Sequence, residues 1–360
     1  MVTGIASRRL KAQRLIGEPS ASPVDVVRWL GAVQSQDYAG AKWAVAQRTR
    51  GITEAQLDRL FDEGAILRTH VLRPTWHFVL PEDAGWLLRL TGPRVLAGLA
   101  GRYRELELDD RTVARALAEF ARALAGSHHL TRQELGQVLH VAGISPEGQR
   151  LPHLIARAEL GGLIISGPRR GKQFTYALLD ERVPKSGVLD RDEAVTEIAR
   201  RYFRSHGPAQ MQDFVWWSGL TVSDARLGIA QAGAALEHQS IAGKDYWFDS
   251  DAGPPRNAAK AVHLLPNFDE YTVAYRDRAV LIHAERSFEP ALFAFRSILS
   301  NVVTVGGVVR GAWRRAAARK GMRVEIRGLG QFEPTEVASV EKSGRMMSRF
   351  FENPVELVWL

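Results

Sequence analysis

The sequence predicts an α+β protein: three tandem winged-helix motifs followed by a β-rich C-terminal scaffold. Three observations carry this expectation. Amphipathic helical runs come in groups of two or three, each group precedes two short strand-like runs ending in aromatic residues, and the pattern occurs three times. Beyond residue 258 the helical periodicity gives way to β-branched runs around a single longer helix. Apolar residues make up 45% and charged residues 24% of 360, enough for a substantial core and unlike a disordered chain.

The first segment runs from Ser22 to Leu80. Pro23–Val33 is its first helix, with Val24, Val27, Leu30 and Val33 on one face and Ser22 as N-cap. Ala41–Arg48 follows, burying Trp43 and Val45, and then Thr53–Glu63, capped by Thr53 with Leu57, Leu60 and Phe61 inward. Strands Ile66–Leu72 and Thr75–Leu80 flank a turn at Arg73-Pro74. The second segment opens with a helix from Asp110 to Leu124. Thr131 with Glu134 is a capping box for Arg132–Val141, and Gln149–Gly161 is a third helix. Leu163–Ser166 and Gln173–Leu178 are strands around the basic turn Gly167-Pro168-Arg169-Arg170-Gly171-Lys172. The third segment has helices Asp192–Ser205, Met211–Ser218 and one from Thr221 to Gln231, then strands Ala235–Ile241 and Tyr246–Phe248.

Helices followed by a β-hairpin make the winged-helix plan, which serves nucleic-acid binding in many proteins and protein interaction or scaffolding in others. Asp251–Asn257 reads as a linker to the final part. There Val262–Leu265 begins as a buried strand and turns into a polar corner, Phe288–Leu299 is a helix or irregular, and Gly307–Arg315, Arg323–Ile326 and Glu356–Leu360 are strands around a helix at Thr335–Phe351. The expected divisions are 1–108, 109–185, 186–250 and 258–360.

The net charge is +8, and 40 of the 48 basic residues are arginine. Arginine's planar fork suits phosphate and base edges, while a compositional bias of the genome gives the same excess. Without cysteine there is no disulfide, thiolate nucleophile or cysteine-held zinc. No signal-like apolar core opens the chain and no run reaches membrane-span length, so a soluble, cytoplasmic protein is expected. No heptad seam or broad apolar stripe stands out, and a monomer is expected. The chain has no phosphate-binding loop, dinucleotide fingerprint, zinc-protease helix or nucleophile elbow, and nothing implies a cofactor or metal. Ser339-Val-Glu-Lys342 fits a serine–lysine pattern on what reads as a surface helix, and His128-His129 reads as loop.

The most informative stretch is Gln34-Ser35-Gln36-Asp37-Tyr38-Ala39-Gly40-Ala41-Lys42. On a continuous helix, residues two apart point nearly opposite ways, so Gln34 and Gln36 share a cavity only where the helix breaks. Asp37 is suited to cap the next helix and Gly40 to its tight first turn. A pair of ordinary polar corner residues is the alternative. Two further constellations stand beside it: the strand pair Arg68–Phe78, where His77 faces away from Trp76 and Phe78, and Asn267-Phe268-Asp269-Glu270-Tyr271 with Tyr275-Arg276-Asp277-Arg278. Asp269 and Glu270 are adjacent carboxylates, and capping or an ion pair with arginine is expected of at least one.

Together these three stretches resemble the AlkZ-type winged-helix DNA glycosylases across most of the chain. The resemblance is to the subgroup with a glutamine–hydrophobic–glutamine motif, matched by Gln34 and Gln36, with Ser35 departing from the hydrophobic middle position. It implies excision of alkylated purines from double-stranded DNA, including unhooking of interstrand crosslinks, with Gln34 and Gln36 catalytic. Supporting roles then fall to Asp37, Tyr38, His77, Asp269 and Glu270, and phosphate contacts to Lys42, Arg68, Arg73, Arg169, Arg170, Lys172, Arg276 and Arg278. A cationic 7-alkylpurine leaves without protonation, so two amides suffice to orient the attacking water. The expected enzyme is monofunctional and needs no cofactor, Lys42 being the one nearby amine. A non-enzymatic winged-helix DNA-binding regulator, or a scaffold, is the alternative.

Overall fold

The computed structural model of the protein describes residues 2–184, 189–250, 258–281, 301–317 and 321–360. The expected linker 251–257 and the segment 288–299 lie outside the described residues. The fold is mixed α+β and comprises two compact units. The first gathers residues 1–57, 196–217 and 221–360, and the second residues 58–195 and 218–220.

In chain order the first unit begins with α1 (Val2–Ala12), α2 (Pro23–Leu30), the two-residue strand β1 (Val33–Gln34) and α3 (Tyr38–Ala46). Ser22 caps α2, accepting from the Asp25 N–H. The helix is three residues shorter than its apolar spacing predicts, because Gly31 takes a positive φ of 79° and returns its N–H to Val27. Val33 and Gln34 are therefore extended.

Helix α4 (Glu54–Asp62) leads into the second unit, where β2 (Leu67–Val71) and β3 (Thr75–Val79) pair as a hairpin with Arg68 opposite Phe78 and His70 opposite Trp76. Helix α5 (Pro81–Glu105) packs on β2 despite an internal Pro93. Then come α6 (Asp110–Leu124), β4 (Leu130–Thr131), α7 (Arg132–Val141), α8 (Arg150–Leu160), β5 (Ile164–Ser166), β6 (Thr175–Leu178) and α9 (Leu179–Arg182). The strands form a sheet of order β4-β6-β5. The capping box at Thr131 and Glu134 is present with both bonds. Phe120, Leu124, Leu135, Leu139, Leu154 and Ile164 form this unit's main core.

The first unit resumes along α10 (Arg191–His206) and continues with α11 (Met211–Ser218) and α12 (Val222–Ala232), which is capped reciprocally by Thr221 and Asp224. Hairpin β7 (Leu236–Ile241) and β8 (Lys244–Asp249) turns at Ala242-Gly243, both with positive φ. Strand β9 (Val262–Leu265), the one-turn helix α13 (Glu270–Val273), β10 (Val302–Val305), β11 (Val308–Ala317), β12 (Met322–Gly328), α14 (Pro334–Phe350) and β13 (Val355–Trp359) complete it. Five of these strands form a sheet of order β13-β12-β11-β10-β9. β12 and β13 are parallel, as a crossover through α14 requires. Trp43 of α3 joins Leu264, Trp313, Ile326, Val340, Met347 and Phe350 in one core beneath α14, and its indole N–H donates to the Leu264 carbonyl at 2.8 Å. That contact fixes where α3, and so the glutamine corner before it, sits on the sheet.

Candidate active site

The corner between α2 and α3 is built as the residues dictate. Gly31 ends one helix, Asp37 starts the next by accepting the Gly40 N–H at 3.0 Å, and Gln34 falls in the extended residues between. Extended backbone turns residues two apart to the same side, which a helix does not. A Cβ on Gly40 would stand 2.9 Å from Asp37 Oδ2 and 3.3 Å from the Asn267 carbonyl, so only glycine lets α3 approach the 267–270 segment this closely.

Gln34 is 7% exposed. Its backbone N–H donates to Glu270 Oε1 at 2.7 Å, whereas its side-chain oxygen is buried with no hydrogen-bond partner among the described residues. A buried carbonyl oxygen left in this way is costly unless a water or substrate group meets it. Gln36 is exposed at the bend, Asp37 and Tyr38 are half-buried, and Ser35 is fully buried.

Asp269 and Glu270 open α13 and are each 1% exposed. The reason is the cap: Asp269 accepts the Tyr271 N–H at 2.9 Å and starts a helical turn. The same carboxylate takes Arg48 through two bonds of 2.8 and 2.9 Å, and Arg48 also donates to the Gln13 and Ala44 carbonyls. Glu270 uses both oxygens. Oε1 holds the Gln34 N–H, and Oε2 accepts the Trp217 indole N–H at 3.0 Å with His206 Nε2 at 3.5 Å. His206 stacks on Tyr202 at 4.8 Å, and its carbonyl accepts the Tyr275 hydroxyl. Burial pushes the Tyr202, Tyr271 and Tyr275 phenols up, which keeps them neutral.

Arg48, His206, Trp217 and Gln13 were not legible as site residues, since each meets the corner through tertiary contacts alone. Arg315 on β11, which interacts electrostatically with Asp37 and Glu54, is another.

A family model described as DNA glycosylase AlkZ-like matches residues 27–350. The chain belongs to the AlkZ-like DNA glycosylase family. An interstrand DNA cross-link repair glycosylase of Streptomyces sahachiroi is 27% identical over 315 residues, 82% of this chain and 82% of the relative. The solved structure of Streptomyces sahachiroi DNA glycosylase AlkZ has the same fold, with a TM-score of 0.78, 22% identity and 99% of each chain covered.

In this AlkZ-like glycosylase the expected phosphate contacts divide sharply. Lys42 is 3% exposed and ion-paired with Glu54 at 2.7 Å, since α3 turns it inward. Arg68 is likewise buried, its guanidinium stacked between the Trp76 and Phe174 rings. Arg169 pairs with Asp58 at 3.0 Å and exposed Arg170 with Glu134 at 2.7 Å, so both charges are partly offset. Arg73 is half-buried, Lys172 and Arg276 are exposed, and Arg278 lies along Trp216 while donating to the Thr272 carbonyl. His77 is fully buried in the second unit, with Nδ1 at 2.9 Å from the Thr75 carbonyl. Ser339 bonds the Thr335 carbonyl within its own helix, as a surface helix serine does.

Among the described residues no helix is long and apolar enough to cross a membrane.

Proposed function

We propose that this AlkZ-like glycosylase is monofunctional and hydrolyses the N-glycosidic bond of cationic alkylated purines in double-stranded DNA, with Gln34 and Gln36 orienting the water. The observation that carries the proposal is the unpartnered, buried side-chain oxygen of Gln34 in an extended corner. It is an acceptor waiting for an O–H. Exposed Gln36, two residues on at the bend, is the proposed source of the second amide.

The chemistry fits neutral amides. In an N7-alkylguanine the ring already carries the positive charge, so the N9–C1′ bond breaks with its electron pair returning to the purine, which departs neutral. The water oxygen bonds to the anomeric carbon of the oxocarbenium-like sugar, and its released proton passes to solvent. No general acid is needed. The protein's contribution is position and dipole: two carbonyl oxygens aimed at a developing cation and at the water beside it. Lys42, already an ammonium partner of Glu54, is poorly suited to form a Schiff base, which supports hydrolysis over lyase chemistry. The name of the Streptomyces relative, an interstrand DNA cross-link repair glycosylase, extends the proposal to purines bridged through N7, whose leaving group is cationic in the same way.

We read the three helix-and-hairpin segments, 1–108, 109–185 and 186–250, as winged helices that carry the DNA, and 258–360 as the scaffold that holds the corner. Release of 7-methylguanine from alkylated duplex DNA tests the assignment. Wild type should release it, with Gln34→Ala and Gln36→Ala each slower by about 10²-fold or more, the loss typical of one transition-state dipole. Release that survives both substitutions removes the proposed roles, and sequence-selective binding of undamaged DNA without release would mark a regulator instead.

A further inference from the structure

In the second unit a cleft of about 540 Å³ opens between hairpin β2–β3, the start of α7, and β6 with the turn before it. We propose that this cleft binds a single unstacked purine nucleotide. Its size falls in the range of small-molecule sites, roughly 300–1,000 Å³.

Its floor is a tier of one cation and two rings. The Arg68 guanidinium carbon lies 4.4 Å from the Trp76 ring centre and 4.6 Å from that of Phe174, and Arg68 is only 8% exposed. The two rings themselves are half-exposed, and Tyr176 closes the wall. A flat aromatic guest extends such a tier by stacking, as bases do on aromatic platforms.

The rim supplies charge of one sign. Arg132 and Lys172 line the cleft, are exposed, and make no ion pair among the described residues, whereas their neighbours Arg169 and Arg170 are taken by Asp58 and Glu134. Among the described residues no carboxylate lines the cleft. A neutral flat ligand would leave these cations unanswered, and a bare anion would leave the rings unused. A nucleotide answers both, with Gln133 and Gln173 at the rim available to its base edge. A paired, stacked base cannot enter, so the cleft responds to distorted DNA rather than to sequence.

The test uses undamaged DNA, on which no base is released, so its outcome is independent of the glutamine assignment. Affinities of wild type are compared at fixed salt for a fully paired duplex, the same duplex with one unpaired purine, and 5′-dGMP alone. The bulged duplex should bind more tightly by about 5- to 150-fold, the span that one base–aromatic stack contributes. Phe174→Ala should abolish that preference. Arg132→Ala with Lys172→Ala, both surface changes, should weaken bulged-duplex binding and reduce its salt slope by about 2, or about 0.9 per lost cation. Binding of dGMP that the double variant loses, without a bulge preference, supports the same site with a free nucleotide as its occupant. Wild type that neither prefers the bulge nor binds dGMP overturns the proposal, as does a preference that survives all the substitutions.

Discussion

Glu270→Gln is the most informative single change at the corner, because it preserves size and removes only a charge and one acceptor. Both carboxylate oxygens are engaged from opposite sides, Oε1 by the Gln34 N–H at 2.7 Å and Oε2 by the Trp217 indole N–H at 3.0 Å. A glutamine offers one oxygen and one NH2, so whichever way it turns, an NH2 confronts a buried N–H donor. A hydrogen bond to a charged group contributes about 1.5–3 kcal/mol, and orphaning a buried donor costs about 1–3 kcal/mol. The two describe overlapping losses, and a destabilisation of about 2–4 kcal/mol is expected by urea denaturation. The larger consequence is positional. The Gln34 amide hangs from the backbone that Glu270 holds, and a shift of about 1 Å in a positioning group costs roughly 10²-fold in rate. The expected result is a kcat for 7-methylguanine release lowered by about 10²-fold with KM changed by no more than about threefold, since Glu270 is buried and is not among the proposed phosphate contacts. A variant with wild-type kcat and wild-type stability would falsify both the geometry and the role given to Glu270.

Three further expectations follow from neighbouring contacts. Asp269→Ala strips the partner from buried Arg48 and the cap from α13, and should cost about 3–5 kcal/mol for the stranded charge plus about 1 for the cap, whereas Asp269→Asn, which can still cap, should cost less; denaturation midpoints compare them. Gly40→Ala, which in most helices adds up to about 1 kcal/mol, should here destabilise, because the new methyl meets Asp37 and the Asn267 carbonyl; a Tm at or above wild type would contradict the close approach. His263 is pulled down to about 4 by burial, below its unfolded value of 6.5. The unfolded chain therefore takes up a proton first as pH falls, and up to about 3 kcal/mol should be lost between pH 6.5 and 4; His263→Leu should flatten that part of the profile.

Much of the local structure was legible because it is dictated locally. The capping pairs Thr131–Glu134 and Thr221–Asp224, the Ser22 and Asp37 caps, and the helix later seen as α14 are each written in a few adjacent residues. The misses have equally physical causes. Helix α5 went unread because Gly85, Gly92, Pro93, Gly98 and Gly101 argue against a helix, and packing against β2 and α8 overrides them. Helix α1 went unread because its few apolar residues, Ile5, Ala6 and Leu10, are buried only through tertiary packing, with Arg9 facing Asp213. At the site, the glutamines were visible as a motif, and the family resemblance gave them meaning. Neither the grip of Glu270 on Gln34 nor the inward turn of Lys42 has any signature in the residues nearby.

The same grip has a temporal side. Gln34 and Glu270 are 236 residues apart, and the unit that contains them is interrupted by nearly all of the other. At roughly 5–20 residues per second of synthesis, the corner emerges from the ribosome some 12–47 s before its carboxylate exists. The inserted unit can settle during that wait, while the N-terminal helices must be kept from aggregating. A nascent product ending before residue 270 would lack the clamp on Gln34, so the corner is held only once about three quarters of the 360 residues have been made.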